Sequence, residues 1–261
     1  MDRPCYVIKL GGAAITNKAE NEFATIDNTI LVCGVGPFGH TNVVKYGIKD
    51  GVFTQEHKDG LKVTKNACDH VGRTVCSVGR SLGLKMEFVP AYQVARQNNK
   101  KDSWIDVDCF EEILSTGAIP VTTGSMVPDL TLGHSVMSGD EFIALFTRHF
   151  QPECVFLGTN VDGIFTSDPN ILPNSAKLIP LVNKENISRV LEGASGSASA
   201  VDVTGGMQGK LEKLANSIGT STGFVFRLGV EGLLLQGLRD GTMDKCTVQY
   251  WSHAAPCVSF P

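Results

Sequence analysis

Hydrophobic and polar positions fall into blocks along the chain. Short apolar runs end in turns that carry glycine, and between them lie longer stretches in which apolar residues recur at three and four residues. The apolar runs at 5–10, 29–33, 86–90, 118–122, 154–157, 223–228 and 248–251 are the length of strands and nearly continuous, the pattern of strands buried on both faces. The clearest helix is predicted over 61–82, where Leu61, Thr64, Cys68, Val71, Val75, Val78 and Leu82 share one face. Shorter helices are predicted over 107–115, 138–150, 187–191, 210–218 and 231–238. The helix at 138 has a start signal: Ser138 suits an N-cap, and Asp140 and Glu141 suit the positive end of the helix. Strands alternating with helices predict an α/β fold with a largely parallel sheet.

The remaining stretches read as connections. Residues 14–28 are polar and weakly periodic, a thin crossover between the first two strands. A mixed loop containing Gly47, Gly51 and Gly60 follows His40, and a turn around Pro128-Asp129 separates two short extended pieces. A polar loop at 158–169 follows the strand at 154–157, and 193–199 is rich in glycine and serine. No repeat or clean linker divides the chain, so one domain is expected over 1–261.

Composition narrows the class. The chain has 261 residues, 42% hydrophobic and 19% charged, enough to bury a substantial core. Its formal charge of −4 argues against a nucleic-acid binder, which displays a basic face. No apolar run approaches the ~18 residues of a membrane span, and 1–5 lacks a signal-like apolar region, so a cytoplasmic protein is expected. The eight cysteines show no CxxC pairing, which favours buried thiols over metal ligands or disulfides.

Candidate chemistry begins at Lys9, a charge inside the apolar run Tyr6-Val7-Ile8-Lys9-Leu10 and followed by Gly11-Gly12. A buried ammonium is costly unless an anion meets it, and two glycines let backbone approach that anion. Gly34-Val35-Gly36-Pro37-Phe38-Gly39 fits GxGxxG, but no acid-ended strand follows about twenty residues on, so by itself it reads equally well as a structural turn. No GxxxxGK[ST] loop is present; the lysines available to a phosphate are the dispersed Lys9, Lys18 and Lys210. The turns at Gly11-Gly12, Gly34-Val35-Gly36, Ser138-Gly139-Asp140 and Gly205-Gly206 would meet at the carboxyl ends of a parallel sheet, where ligands gather and helix N-termini favour phosphate.

Taken in order, Val7 to Lys18, Gly36-Pro37-Phe38-Gly39-His40, Ser138-Gly139-Asp140, Val161-Asp162-Gly163 and Asp202 to Lys210 resemble the isopentenyl phosphate kinases of the amino acid kinase superfamily. The resemblance implies a three-layer αβα sandwich around a mainly parallel sheet, and a homodimer. It implies an acceptor-binding lobe at about 1–150 and a nucleotide-binding lobe at about 151–261. The implied activity is ATP-dependent phosphorylation of isopentenyl phosphate to isopentenyl diphosphate for isoprenoid synthesis, with Mg2+ arriving on ATP and no dedicated protein metal site.

By the same resemblance, Lys9 contacts the ATP phosphates, Lys18 stabilises the transition state and Lys210 holds the donor end. Asp140 orients a lysine; His40 holds the acceptor phosphate, with Gly139 and Val35 beside it. Leu10, Gly11, Gly12, Ala13, Gly36 and Gly206 line the phosphates, Asp162 sits beside the nucleotide, and Thr159 and Asp168 are weaker candidates in that loop. The chain departs from the family pattern in the thin 14–28 connection, at Cys33 and Val35, and at Ser125 and Asn160, where aspartate is usual. These departures leave two alternatives: a degenerate or truncated kinase fold that binds nucleotide or phosphate with little turnover, and a related kinase acting on another small phosphate or phosphonate.

Overall fold

The computed structural model describes residues 5–12, 28–169, 171–194 and 206–250. Strand β1 (Tyr6–Leu10) is followed among these by β2 (Thr29–Cys33), helix α1 (Pro37–Lys45), a 3-10 turn (Ile48–Asp50) and the long α2 (Gln55–Ser81). Next come β3 (Met86–Phe88), α3 (Ala91–Val94), β4 (Ala95–Asn98), β5 (Asp102–Ile105), α4 (Asp108–Ser115), β6 (Ile119–Thr123), β7 (Ser125–Asp129) and β8 (Gly133–Met137). The second half holds α5 (Gly139–Phe150), β9 (Cys154–Thr159), β10 (Ile164–Phe165), β11 (Leu178–Ile179), β12 (Leu181–Val182), α6 (Ile187–Ala194), α7 (Gly206–Ala215), β13 (Thr222–Arg227), α8 (Leu233–Asp240) and β14 (Thr247–Gln249).

Eight strands form the main sheet in the order β12-β14-β13-β9-β1-β2-β6-β3, parallel throughout except for the β13–β14 pair. Neighbouring residues of its strands separate into two cores. Val7, Val32, Val155, Leu157 and Val225 pack on one face with Phe142 and Phe146 of α5 and Leu211 and Leu214 of α7. Ile8, Leu31, Val121, Phe156 and Phe224 pack on the other with Val71 and Cys76 of α2 and Leu233 of α8. Both faces are therefore covered by helices, as a parallel sheet requires, and the architecture is the αβα sandwich expected of the amino acid kinase fold.

The central strands, the α5 start and most boundaries agree with the sequence pattern, which gives no sign of α3 or of β10, β11 and β12, and three further features differ. The residues after Gly36 form α1 instead of a loop. This helix buries only Gly39 and Val43 and leaves Phe38 and Val44 exposed, so it has almost no apolar periodicity to read. Helix α2 starts two turns before 61, where Thr54 Oγ1 accepts from the His57 amide at 3.1 Å; those first turns are polar because they lie in solvent. The turn expected at Pro128-Asp129 lies at 130–132 and closes the β7–β8 hairpin of a separate four-stranded sheet, β5-β4-β7-β8, whose first two strands the pattern does not reveal.

Helix α2 lies directly on the edge strand β3 because it carries glycine where the two meet. A Cβ on Gly72 would stand 2.1 Å from the Phe88 ring, and one on Gly79 would collide with Met86 Sδ. Beside this edge is an open groove of about 1010 Å3 lined by Arg73, Cys76, Arg80 and Phe88, which contains none of the candidate site residues. Among the described residues no helix is long and apolar enough to cross a membrane, and the seven cysteines are all free thiols. The 14–28 connection lies, apart from Asn28, outside the described residues.

Candidate active site

Strand β1 is the centre of the site because the chain runs out in opposite directions from it, to β2 on one side and β9 on the other. That divergence opens a crevice at the carboxyl ends of the strands. The loops leaving these strands are glycines pressed together. A Cβ on Gly12 would lie 2.3 Å from the Gly36 amide nitrogen, and one on Gly11 would lie 2.6 Å from the Gly158 carbonyl oxygen. Gly36 has φ of +50°, a left-handed conformation that glycine adopts without penalty, and it immediately precedes Pro37 at the start of α1. Side chains are thus excluded from the floor of the crevice, which becomes backbone that can approach an anion.

Lys9 shares the sheet face of Val7, so its side chain passes beneath α5. Ser138 caps that helix by accepting from the Glu141 amide at 3.2 Å, which fixes Gly139 and Asp140 as its first residues. Gly139 lets the lysine through: a Cβ there would be 3.3 Å from Lys9 Cε. Lys9 then pairs with Asp140 Oδ1. Lys210, brought by α7, lies 3.2 Å from each oxygen of the same carboxylate. Lys9 and Asp140 are each 7% exposed, so a carboxylate and two ammonium groups share a nearly closed space with a net positive charge.

Electrostatics follow from that enclosure. Burial alone would push the Asp140 carboxyl up, but the Lys210 and Lys9 ammonium groups and their hydrogen bonds outweigh it and hold the group well below the carboxylate range. For Lys9, burial dominates. Desolvation draws it down to about 7, helped by Lys210 and opposed by Asp140. Asp140 therefore stays ionised, and an arriving anion would favour the charged form of Lys9.

The other expected residues are distributed around this centre. His40 is half-buried on α1, in the turn that follows Gly36, and its amide donates to the Gly36 carbonyl at 3.2 Å. Val35 turns its side chain onto Gly39, 2.6 Å from where a Cβ there would sit, which leaves its backbone to border the crevice. Leu10 is buried in the second core. Asp162 lies in the loop after β9 and receives Arg227 Nε at 2.6 Å. Thr159 Oγ1 is spent on the Val161 carbonyl, and the Asp168 carbonyl closes a turn by accepting from Ile171 and Leu172. Gly206 opens α7. Ala13, Lys18 and the 202–205 segment lie outside the described residues.

Two basic residues join the site without having been anticipated. Lys213 Nζ reaches Glu141 Oε2 at 3.1 Å and Ser138 Oγ at 3.2 Å, a second tie between α7 and the start of α5. Its signal was present, since it stands three residues after Lys210 on the same helical face. Arg227 ends an otherwise apolar strand, the same signature that singles out Lys9. Among the described residues no cluster of three or more His, Cys, Asp or Glu side chains has metal-holding geometry.

Comparison with known proteins bears on what this crevice holds. Residues 4–221 match the model of the amino acid kinase family. The chain is 29% identical to an isopentenyl phosphate kinase of Methanothermobacter thermautotrophicus over 230 residues, covering 80% of this chain and 85% of that enzyme. It is 26% identical to an isopentenyl phosphate kinase of Methanocaldococcus jannaschii over 205 residues, 76% of this chain and 72% of that one. A solved isopentenyl phosphate kinase structure superposes with a TM-score of 0.72 at 23% identity, covering 94% of this chain and 99% of that one.

Proposed function

The chain belongs to the amino acid kinase family, and from that premise we propose that it transfers the γ-phosphoryl group of ATP to isopentenyl phosphate, forming isopentenyl diphosphate and ADP. The observation that carries phosphoryl transfer is the Lys9–Asp140–Lys210 network beside the glycine floor. The acceptor rests on similarity to isopentenyl phosphate kinases over most of the chain and on His40 next to the Gly36 turn.

In this reading an oxygen of the acceptor phosphate attacks the γ-phosphorus, and the bond from that phosphorus to the β–γ bridging oxygen breaks, with its electron pair leaving on ADP. The acceptor is already ionised near neutral pH, so no strong base is needed. What the protein contributes is alignment and charge neutralisation. Lys9 and Lys210 face the donor phosphates, Asp140 keeps the two ammonium groups in place, and backbone at Gly11, Gly12 and Gly36 approaches the phosphate oxygens. His40, Gly139 and the backbone of Val35 border the acceptor. Lys18 belongs to the same proposal as the transition-state cation. Mg2+ would arrive with the nucleotide and would supply neutralisation of phosphate charge, needing few protein ligands. The proposal includes an acceptor end at about 1–150, a nucleotide end at about 151–261, and a cytoplasmic homodimer.

An ADP-release assay with Mg–ATP tests it. Turnover is expected with isopentenyl phosphate and not with buffer alone. Faster turnover of another small phosphate or a phosphonate would replace the acceptor, and ATP binding without turnover on any of them would overturn the catalytic reading.

A further inference from the structure

Arg227 occupies a place that the network around Lys9 does not use. Parallel pairing puts Lys9 level with Leu157 of β9, and Leu157 level with Val225 of β13. Arg227 is therefore two residues farther toward the carboxyl end and two strands across, roughly 11 Å from the level of Lys9 at ordinary strand spacings. That is a separation which a triphosphate followed by its sugar would span. Arg227 is level with Thr159, and the loop after Thr159 is stitched to β13: Thr159 Oγ1 donates to the Val161 carbonyl at 2.7 Å and accepts from the Val161 amide at 3.1 Å, while the Leu228 amide donates to the Thr159 carbonyl at 2.9 Å.

On that fixed loop, Asp162 Oδ1 accepts from Arg227 Nε at 2.6 Å. The two side chains are 35% and 45% exposed, so the pair is reachable from solvent at the carboxyl ends of β9 and β13. A carboxylate accepts hydrogen bonds and offers none to phosphate, which it repels; of the donors a nucleotide carries, the ribose hydroxyls lie nearer the triphosphate than the amino group of the base does. A single arginine contact fixes the carboxylate without closing off all its lone pairs.

We infer that Arg227 is a positioning residue for the nucleotide donor: it holds the Asp162 carboxylate at the mouth of the crevice to accept a hydrogen bond from the ribose 2′-hydroxyl. The inference rests on the nucleotide-binding part of the reading above and is independent of the acceptor.

Binding of ATP and of 2′-deoxyATP, each with Mg2+ and without acceptor, tests it by calorimetry on the full chain. The wild-type protein is expected to bind ATP about tenfold more tightly than 2′-deoxyATP. Asp162→Asn and Arg227→Gln are each expected to reduce that preference to about twofold or less, the double variant to reduce it no further, and Arg227→Lys to fall between. Unfolding temperatures are expected to stay level, because an exposed ion pair contributes little to stability. Equal wild-type affinity for the two nucleotides would overturn the inference, as would full discrimination in Arg227→Gln, or an Asp162→Asn loss that is the same for both ligands. Absence of any nucleotide binding by the wild type would remove the kinase reading and this inference with it.

Discussion

Lys210 Nζ stands 3.2 Å from both carboxylate oxygens of Asp140, seventy residues earlier, and the same carboxylate takes Lys9 from the central strand. One buried anion thus holds two cations that arrive from opposite halves of the chain. Replacing it with Asn leaves two ammonium groups in a nearly closed space without a counter-charge. Asp140→Asn is expected to cost about 3 kcal/mol of stability and to lower turnover about a hundredfold or more, measured by urea unfolding and steady-state assay. The stability difference has a pH signature. The folded-state pKa of Asp140 is depressed, so its contribution is full above the unfolded value near 3.8 and is lost as pH falls through the folded value. Wild type and variant should converge in strong acid; a gap independent of pH would mean that the carboxylate acts in some other way.

Lys9 yields a prediction of the opposite sense. Its folded-state pKa is drawn down by burial, with Lys210 adding to the shift and Asp140 opposing it, so the unliganded ammonium gives up its proton more readily than a solvated lysine. Nucleotide phosphates favour the charged form and raise the value again. Nucleotide binding on the alkaline side of neutrality should therefore take up protons, seen as a binding enthalpy that depends on the ionisation enthalpy of the buffer. The uptake should vanish in Lys9→Arg, which is always charged. Proton release, or uptake unchanged by that substitution, would show that Lys9 is not the responding group.

How far the sequence reveals this arrangement depends on what each residue does. Lys9 is conspicuous because a charge in an apolar run has few explanations, and Ser138-Gly139-Asp140 because caps and first-turn acids have a local code. The lines of fold that stay hidden are those without local periodicity. Helix α1 buries only Gly39 and Val43, and β4 and β5 are short strands of a peripheral sheet. Lys213 and Arg227 carry only weak local signals, a helical face shared with Lys210 and a charge at the end of an apolar strand, and their partners Glu141 and Asp162 appear only in the fold. Pairing over 65 or more residues leaves no trace in spacing.

The glycines separate packing from chemistry. In Gly72→Ala the new methyl meets the Phe88 ring far from the crevice, and the ring or the helix must move. This variant is expected to lose about 1–3 kcal/mol of stability while its KM values stay within about twofold of wild type. In Gly12→Ala the new methyl meets the backbone of Gly36 and forces the two phosphate-facing loops apart. Its nucleotide affinity should fall about a hundredfold, the scale of a misplaced binding group, with a smaller change in unfolding midpoint. Equal behaviour of the two variants would contradict the division.

In the proposed reading, His40 marks the end of the crevice that receives the acceptor. It sits in the turn after Gly36, at the start of a helix whose N-terminus favours anions, and the residue is half-buried. An imidazole N–H on the acceptor phosphate is a hydrogen bond to a charged group, and losing it costs about ten- to a hundredfold in binding. His40→Ala should therefore raise KM for isopentenyl phosphate by that factor and leave KM for ATP within about twofold, because the proposal assigns the nucleotide phosphates to Lys9 and Lys210. His40→Gln keeps an N–H donor and should recover part of the loss. Equal increases for both substrates would move His40 to the transferred phosphoryl group, and no increase for either would return it to a packing role in α1.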